Sequence, residues 1–376
     1  MNKNGKKNIL FIFGTRPEAI KMATIIEEFK KYPEEIECKV CVTAQHREML
    51  DQVLAFFGIV PDYDLNVMKK GQNLVSLSAS ILSGLQEVFT DYQPDSIFVQ
   101  GDTTTSTVSA LAGFYSGIKV HHVEAGLRTL NKFSPFPEEV NRQVTARIAD
   151  VHYAPTIAAK NNLLDEGIPP NQIWVTGNTV IDALFLGLQK LETYTSAKIE
   201  ELTSIIDPGR NLVLVTGHRR ESFGNGFKRI CSALKQLSAR KDVQIIYPVH
   251  LNPNVIEPVT DLLGETDNIH LIEPLGYPEF LWLMEKSHII LTDSGGIQEE
   301  APSLNKPVLV MRETTEREEA VEAGTAILVG TDSQKIVKET SRLLDSDKDY
   351  FLMSGLENPF GTGNASIKII EQILFN

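Results

Sequence analysis

With 49 acidic against 36 basic side chains among 376 residues, the chain carries a formal net charge of −13, which speaks against non-specific binding to nucleic acid or anionic membranes. A hydrophobic content of 42% with 23% charged residues is that of a globular protein with a substantial core, and at about 150 residues per domain the length suggests two domains. No apolar run reaches the ~18 residues of a membrane span, and a local basic site for phosphates stays open, because net charge says nothing about one cleft.

The chain opens MNKNGKKNILFIFG, a basic start and a short apolar run that passes into Gly-Thr-Arg-Pro-Glu without a small-residue cleavage site. This is a first strand rather than a signal peptide, so the expected location is cytoplasmic. Short Val-, Ile- and Phe-rich runs then alternate with helical-period segments. Strands are expected at 8–13, 38–43, 95–100, 119–123, 151–154 and 172–176, with helices at 18–31, 73–91 and 104–116 among them. Cys38 and Cys41 fall three residues apart on one strand, hence on opposite faces, which favours core packing over metal or redox work. A polar, helix-prone stretch from about Gly187 to Gly209 ends in Asp-Pro-Gly and separates a second series of similar size. There strands are expected at 211–216, 243–248, 269–272, 288–292, 307–310 and 326–329, with helices at 225–239 and 332–345. This alternation predicts an α/β fold of two doubly wound, Rossmann-like parallel-sheet domains.

In such sheets ligands bind beyond the carboxyl ends of the strands. Those ends carry the chemistry-bearing segments: Gly14-Thr15-Arg16, Gly101-Asp102, Glu124-Ala125-Gly126, Gly217-His218-Arg219-Arg220 and Ser294-Gly295-Gly296. Two sheets presenting them to one another would face across a single cleft. In LTDSGGIQEEAPSL, a strand, Ser294-Gly295-Gly296 and a helix opening at Ile297 make an arrangement that holds phosphate on backbone N–H groups. Glu300, one turn in, could accept from ribose hydroxyls; a plain glycine-rich turn explains the segment equally well. A lone histidine such as His218 is more often structural than catalytic, but Arg219 and Arg220 beside it in VTGHRRESFG, at a strand's carboxyl end, shift the segment toward phosphate contact. Arg317 could join them, or pair on the surface with Glu316, Glu318 or Glu319.

The N-terminal half supplies carboxylates. Asp102 in VQGDTTTST could be catalytic or merely cap the helix at 104. Glu124 in HHVEAGLRT ends a buried strand, where an ionised carboxylate without function would be costly. Glu138 in SPFPEEVNRQ follows Pro137, which fits a first helical position, so acids there also suit the helix dipole. Arg16 and Lys21 in GTRPEAIK bring positive charge to the first helix. Two or three acids facing a phosphate site are what proton abstraction and donation at carbon need.

Together these segments resemble the non-hydrolysing UDP-N-acetylglucosamine 2-epimerases. The likeness spans nearly the whole chain: FGTRPEAIKM, TAQHREMLDQVL, GDTTT, HVEAGLRT, SPFPEEVNRQ, GNTVIDAL, HRRESFG, YPVHLNPNV, LTDSGGIQEEAPSL and TTER-EAVEAGT. It implies the glycosyltransferase-B-like two-domain fold and a homodimer. Residues 1–186 would be the acid/base domain, completed by a C-terminal helix at 361–376, and residues 187–360 the UDP-binding domain. Asp102, Glu124 and Glu138 match the proton-transfer acids of the family. Arg16, Lys21 and His218 match positions near the diphosphate and sugar, and Arg142 in SPFPEEVNRQ joins the substrate-binding set. Ser294, Gly295, Gly296, Glu300, Arg317 and Phe280 match contacts to UDP. The chain departs from the family at Thr24, where KMAP is usual, and at Asn305, where glycine prevails. It also departs at Glu318, where TERPEA is usual and which could move Arg317, and at Gly71, where some relatives carry a basic residue that helps bind an activating second substrate molecule.

The implied reaction is interconversion of UDP-N-acetylglucosamine and UDP-N-acetylmannosamine, supplying cell-surface polysaccharide synthesis. Carbon 2 of the sugar is not adjacent to a carbonyl, so its proton is too weakly acidic for simple removal and return. Loss of UDP from carbon 1 with removal of the carbon-2 proton gives 2-acetamidoglucal, which can take a proton on the other face as UDP re-adds. No cofactor, metal or nicotinamide, is called for. A hydrolysing epimerase, a glycosyltransferase and a non-catalytic sugar-nucleotide sensor are the alternatives.

Overall fold

The computed structural model describes residues 5–43, 47–68 and 71–375. The first four residues of the basic start and Ala44, Gln45 and His46 of the TAQHREMLDQVL motif lie outside them. The chain divides into two compact units, Met1–Leu186 with Phe360–Asn376, and Gly187–Pro359.

The first unit contains β1 (Lys7–Phe13), β2 (Ile36–Val42), β3 (Tyr63–Asp64), β4 (Ser96–Gln100), β5 (Lys119–Val123), β6 (Val151–Ala154) and β7 (Ile173–Val175). They form one sheet in the order β3-β2-β1-β4-β5-β6-β7, with every ladder parallel. β1 lies in its interior and is buried from Ile9 to Phe13. A strand covered on both faces needs no polar alternation, which is why ILFIF is a continuous apolar run. Phe11, Phe29 and Phe98 pack there with ring centroids 5.0 to 5.4 Å apart. Cys41 is fully buried and Cys38 partly so on β2. Burial pushes both thiols up, Cys41 to about 12, as expected of packed cysteines.

The helix Arg16–Phe29 begins two residues before its expected start, with Thr15 and Glu18 forming a capping box and Pro17 in the first turn, where proline is tolerated. The terminal helix Ala365–Phe375 packs against it. The Asp182 carboxylate accepts the N–H groups of Ala365 at 3.2 Å and Ser366 at 2.8 Å. Ser366 Oγ in turn donates to Thr24 Oγ1 at 2.9 Å, so this departure from KMAP has a partner on the terminal helix.

The second unit holds β8 (Asn211–Thr216), β9 (Val243–Pro248), β10 (Ile269–Ile272), β11 (Ile289–Thr292), β12 (Val308–Val310) and β13 (Ala326–Leu328). The order is β10-β9-β8-β11-β12-β13, again all parallel. In each sheet the order reverses once, between β1 and β4 and between β8 and β11. Those reversals open the crevices in which doubly wound sheets bind ligands.

Candidate functional site

In the first unit the reversal point is flanked by the residues after β1 and β4. Thr15 and Arg16 follow β1, and Gly101-Asp102-Thr103 follow β4. Glu18 ties the two ends together. Fully buried, its carboxylate accepts from Gly14 N at 3.1 Å, Thr15 N at 2.8 Å, Thr15 Oγ1 at 2.7 Å and Thr103 Oγ1 at 2.7 Å. Burial outweighs these donors and raises its pKa to about 7. Sequence reasoning passed over Glu18, whose three-residue spacing from Thr15 is a capping-box signal.

Glu124 stands just past β5 with φ of 61°, a left-handed conformation uncommon for a residue with a side chain. Its side chain is 7% exposed and ion-paired with Lys21. Gln100 Nε2 also donates to it, and Asn178 Nδ2 does so at 3.1 Å. Two residues on, Gly126 has φ of 93°, and a Cβ there would lie 2.1 Å from the Ala159 carbonyl, so only glycine fits. Strand end and strained turn thus aim Glu124 beside the helix that carries Lys21.

Asp102 pairs with Arg142, and its backbone carbonyl accepts from Asn141 Nδ2 at 2.9 Å. Burial pushes the Asp102 carboxyl up, Arg142 pulls it down, and the charge of Glu124 adds to the rise. Asp102 therefore does not cap the following helix; Thr103 does, accepting from Ser106 N at 3.0 Å. Arg142 is held on its other side by Glu139 at 3.4 Å. Glu139, fully buried, accepts from Thr129 N at 3.0 Å and Leu130 N at 3.1 Å. Pro137 takes the cap position rather than the first helical one, and the helix runs Glu138–Ile148. Glu138 is half-buried at its start. The structure thus joins Asp102, Glu124, Lys21 and Arg142 in one cluster, and adds Gln100, together with Asn178 of GNTVIDAL and Glu139 of SPFPEEVNRQ, whose pairings no local pattern marks.

In the second unit the corresponding crevice lies between the ends of β8 and β11. His218 follows β8, and Asp293-Ser294-Gly295 follow β11. The carboxylate of Asp293 accepts the backbone N–H of His218 at 2.7 Å and of Arg219 at 2.8 Å. Arg220 is exposed on a 3₁₀ turn, Arg220–Ser222. The helix expected to open at Ile297 instead runs Gly295–Glu300, six residues, and tightens into the 3₁₀ turn Ala301–Leu304. Pro302, which offers no N–H to a longer α-helix, accounts for that ending. Ser294 takes the N-cap without a side-chain cap bond, and Glu300 is buried at the helix end.

Arg317 finds its main partner away from its neighbours: Nε donates to buried Glu299 at 2.8 Å, while Glu316 stands at 4.0 Å. A Cβ on Gly295 would meet the Arg317 guanidinium carbon at 2.9 Å, so the glycine makes room for that group. Glu316 is occupied by buried Arg312, whose guanidinium also binds Glu221 at 2.6 Å. Arg312 thereby joins the loop after His218 to the loop before Arg317, a link no local pattern announces. Phe280 is half-buried on the helix Tyr277–Lys286. Asn305 has φ of 57°, a conformation asparagine tolerates better than most residues.

A family model described as UDP-N-acetylglucosamine 2-epimerase matches residues 27–374. The chain belongs to the UDP-N-acetylglucosamine 2-epimerase family. Among family members, the probable UDP-N-acetylglucosamine 2-epimerase of Ralstonia solanacearum is 57% identical over 371 residues, 98% of each chain. The UDP-N-acetylglucosamine 2-epimerase of Salmonella typhimurium is 54% identical over 368 residues, 97% of this chain and 98% of that one. A crystal structure of the Neisseria meningitidis 2-epimerase bound to UDP-GlcNAc superposes with a TM-score of 0.90 at 51% identity, covering 98% of this chain and all (100%) of the other. The fold is accordingly the glycosyltransferase-B-like one of the 2-epimerase family.

Proposed function

We propose that this protein interconverts UDP-N-acetylglucosamine and UDP-N-acetylmannosamine, by eliminating UDP to 2-acetamidoglucal and re-adding it with opposite configuration at carbon 2. The observation that carries the reading is the pair of differently held carboxylates beyond β4 and β5, in a chain of this family. Glu124 is held by an ion pair with Lys21 and by hydrogen bonds from Gln100 and Asn178. The Asp102 carboxyl is raised by burial despite Arg142, which suits it to carry a proton. Two acids held by different partners can share removal and return of one proton on opposite faces of a carbon. Glu138 is the third acid of this set.

Arg16 and Lys21 would meet the charge of the diphosphate or sugar. In the second unit Ser294, Gly295 and Gly296 would receive phosphate, Glu300 the ribose, and Arg317 and Phe280 the rest of UDP. His218 would donate to the departing diphosphate oxygen. Residues 1–186 with the terminal helix thus act as the acid/base domain, and the segment from 187 to 360 as the UDP-binding domain. The enzyme works in the cytoplasm as a homodimer and feeds cell-surface polysaccharide synthesis. Incubation with UDP-N-acetylglucosamine alone, followed by NMR of the products, tests the reading. Both UDP-sugars at equilibrium support it; UDP with free N-acetylmannosamine, or unchanged substrate, refutes it.

A further inference from the structure

Asp293 sits at the end of β11 beside His218, and its side chain is 2% exposed against 44% for the histidine. One carboxylate oxygen, Oδ2, is committed to the backbone N–H groups of His218 and Arg219. The other, Oδ1, is buried without a hydrogen-bond partner and lies 3.4 Å from His218 Nδ1. A buried carboxylate oxygen lacking a donor is costly, and the imidazole is the group within reach. Side-chain hydrogen bonds at enzyme sites are often long until substrate is bound and then tighten.

We propose that Asp293 is the positioning residue for His218, taking a hydrogen bond from Nδ1–H so that Nε2 alone serves the substrate. This rests on the reading of His218 as a diphosphate contact and sharpens it. With the ring proton held on Nδ1, a neutral imidazole has only a lone pair at Nε2. Donation to the departing UDP oxygen therefore requires the imidazolium, and a hydrogen bond suffices, with no proton transferred. The groups facing the ring are Asp293, whose charge favours the imidazolium, and Arg219 and His250, which oppose it. His250 stacks on the ring with centroids 5.5 Å apart. Burial, the largest influence, also lowers the pKa of His218. Asp293 is thus the group that keeps the charged form within reach, the role a carboxylate plays behind a catalytic histidine.

The test is NMR of the full chain with ¹⁵N-labelled histidine, combined with kinetics on Asp293→Asn and His218→Asn. Neutral His218 is expected as the Nδ1–H tautomer, and its titration midpoint should fall by about one pH unit in Asp293→Asn. Turnover by Asp293→Asn should drop on the order of tenfold, with the alkaline limb of its pH profile displaced downward by the same interval. In a His218→Asn background the second substitution should cost less than about twofold, because the two act as one unit. An Nε2–H tautomer, an unmoved midpoint, or a full Asp293→Asn penalty without His218 would each overturn the proposal. Should His218→Asn turn over normally, the reading of His218 as a diphosphate contact is wrong, while tautomer and midpoint still decide the pairing. If Asp293→Asn does not fold, the tautomer of the unaltered protein decides alone.

Discussion

Glu18 shows how one buried side chain can set a pH dependence. Its carboxyl is raised from 4.5 to about 7, chiefly by burial, so the folded state favours the protonated form more than the unfolded chain does. Its contribution to stability is therefore full below about pH 4.5 and is lost as pH rises through about 7, a difference on the order of 3 kcal/mol. Glu18→Gln can keep the same contacts: its amide oxygen accepts from Gly14 and Thr15, and its NH₂ donates to Thr103 Oγ1. The variant should lose the pH dependence, so its urea midpoint should overtake that of the unaltered protein between pH 5 and 8. Parallel pH profiles would mean that the four donors, not burial, decide the ionisation of Glu18.

Among the elements, the central strands and long helices were legible because their signals are local. The run Ile9 to Phe13 needed only hydrophobicity, and β4, β5, β6, β8, β9 and β10 fall within one residue of expectation. β3 was missed because two residues at a sheet edge, Tyr63 and Asp64, carry no periodicity. The strand-end segments were visible, but the partners that hold them were not. Glu139 behind Arg142, Glu299 behind Arg317 and Arg312 between two loops are tertiary pairings, invisible to spacing along the chain. The terminal helix allows a direct check at this scale. Replacing Asp182 by alanine removes the acceptor for Ala365 and Ser366 N–H and should cost the helix about 1 kcal/mol. Hydrogen exchange of residues 365–375 should then quicken about fivefold. Unchanged exchange would show that apolar packing alone retains the helix.

For the whole molecule, the proposed function divides labour between the two units. Neutral replacements of Asp102, Glu124 or Glu138 should lower turnover while leaving UDP affinity nearly intact. Gly295→Ala, by pushing the Arg317 guanidinium aside, should instead weaken UDP binding, as should loss of Arg317 or Glu300. Calorimetric titration with UDP separates the two classes, and the reverse pattern would mean that the roles of the units are exchanged. The central claim, that configuration is inverted by breaking the carbon-2 to hydrogen bond through elimination of UDP, is tested most directly in deuterium oxide. With UDP-N-acetylglucosamine and no added nicotinamide, product UDP-N-acetylmannosamine should carry deuterium at carbon 2 by NMR. Product that retains the original hydrogen at carbon 2 would contradict the account.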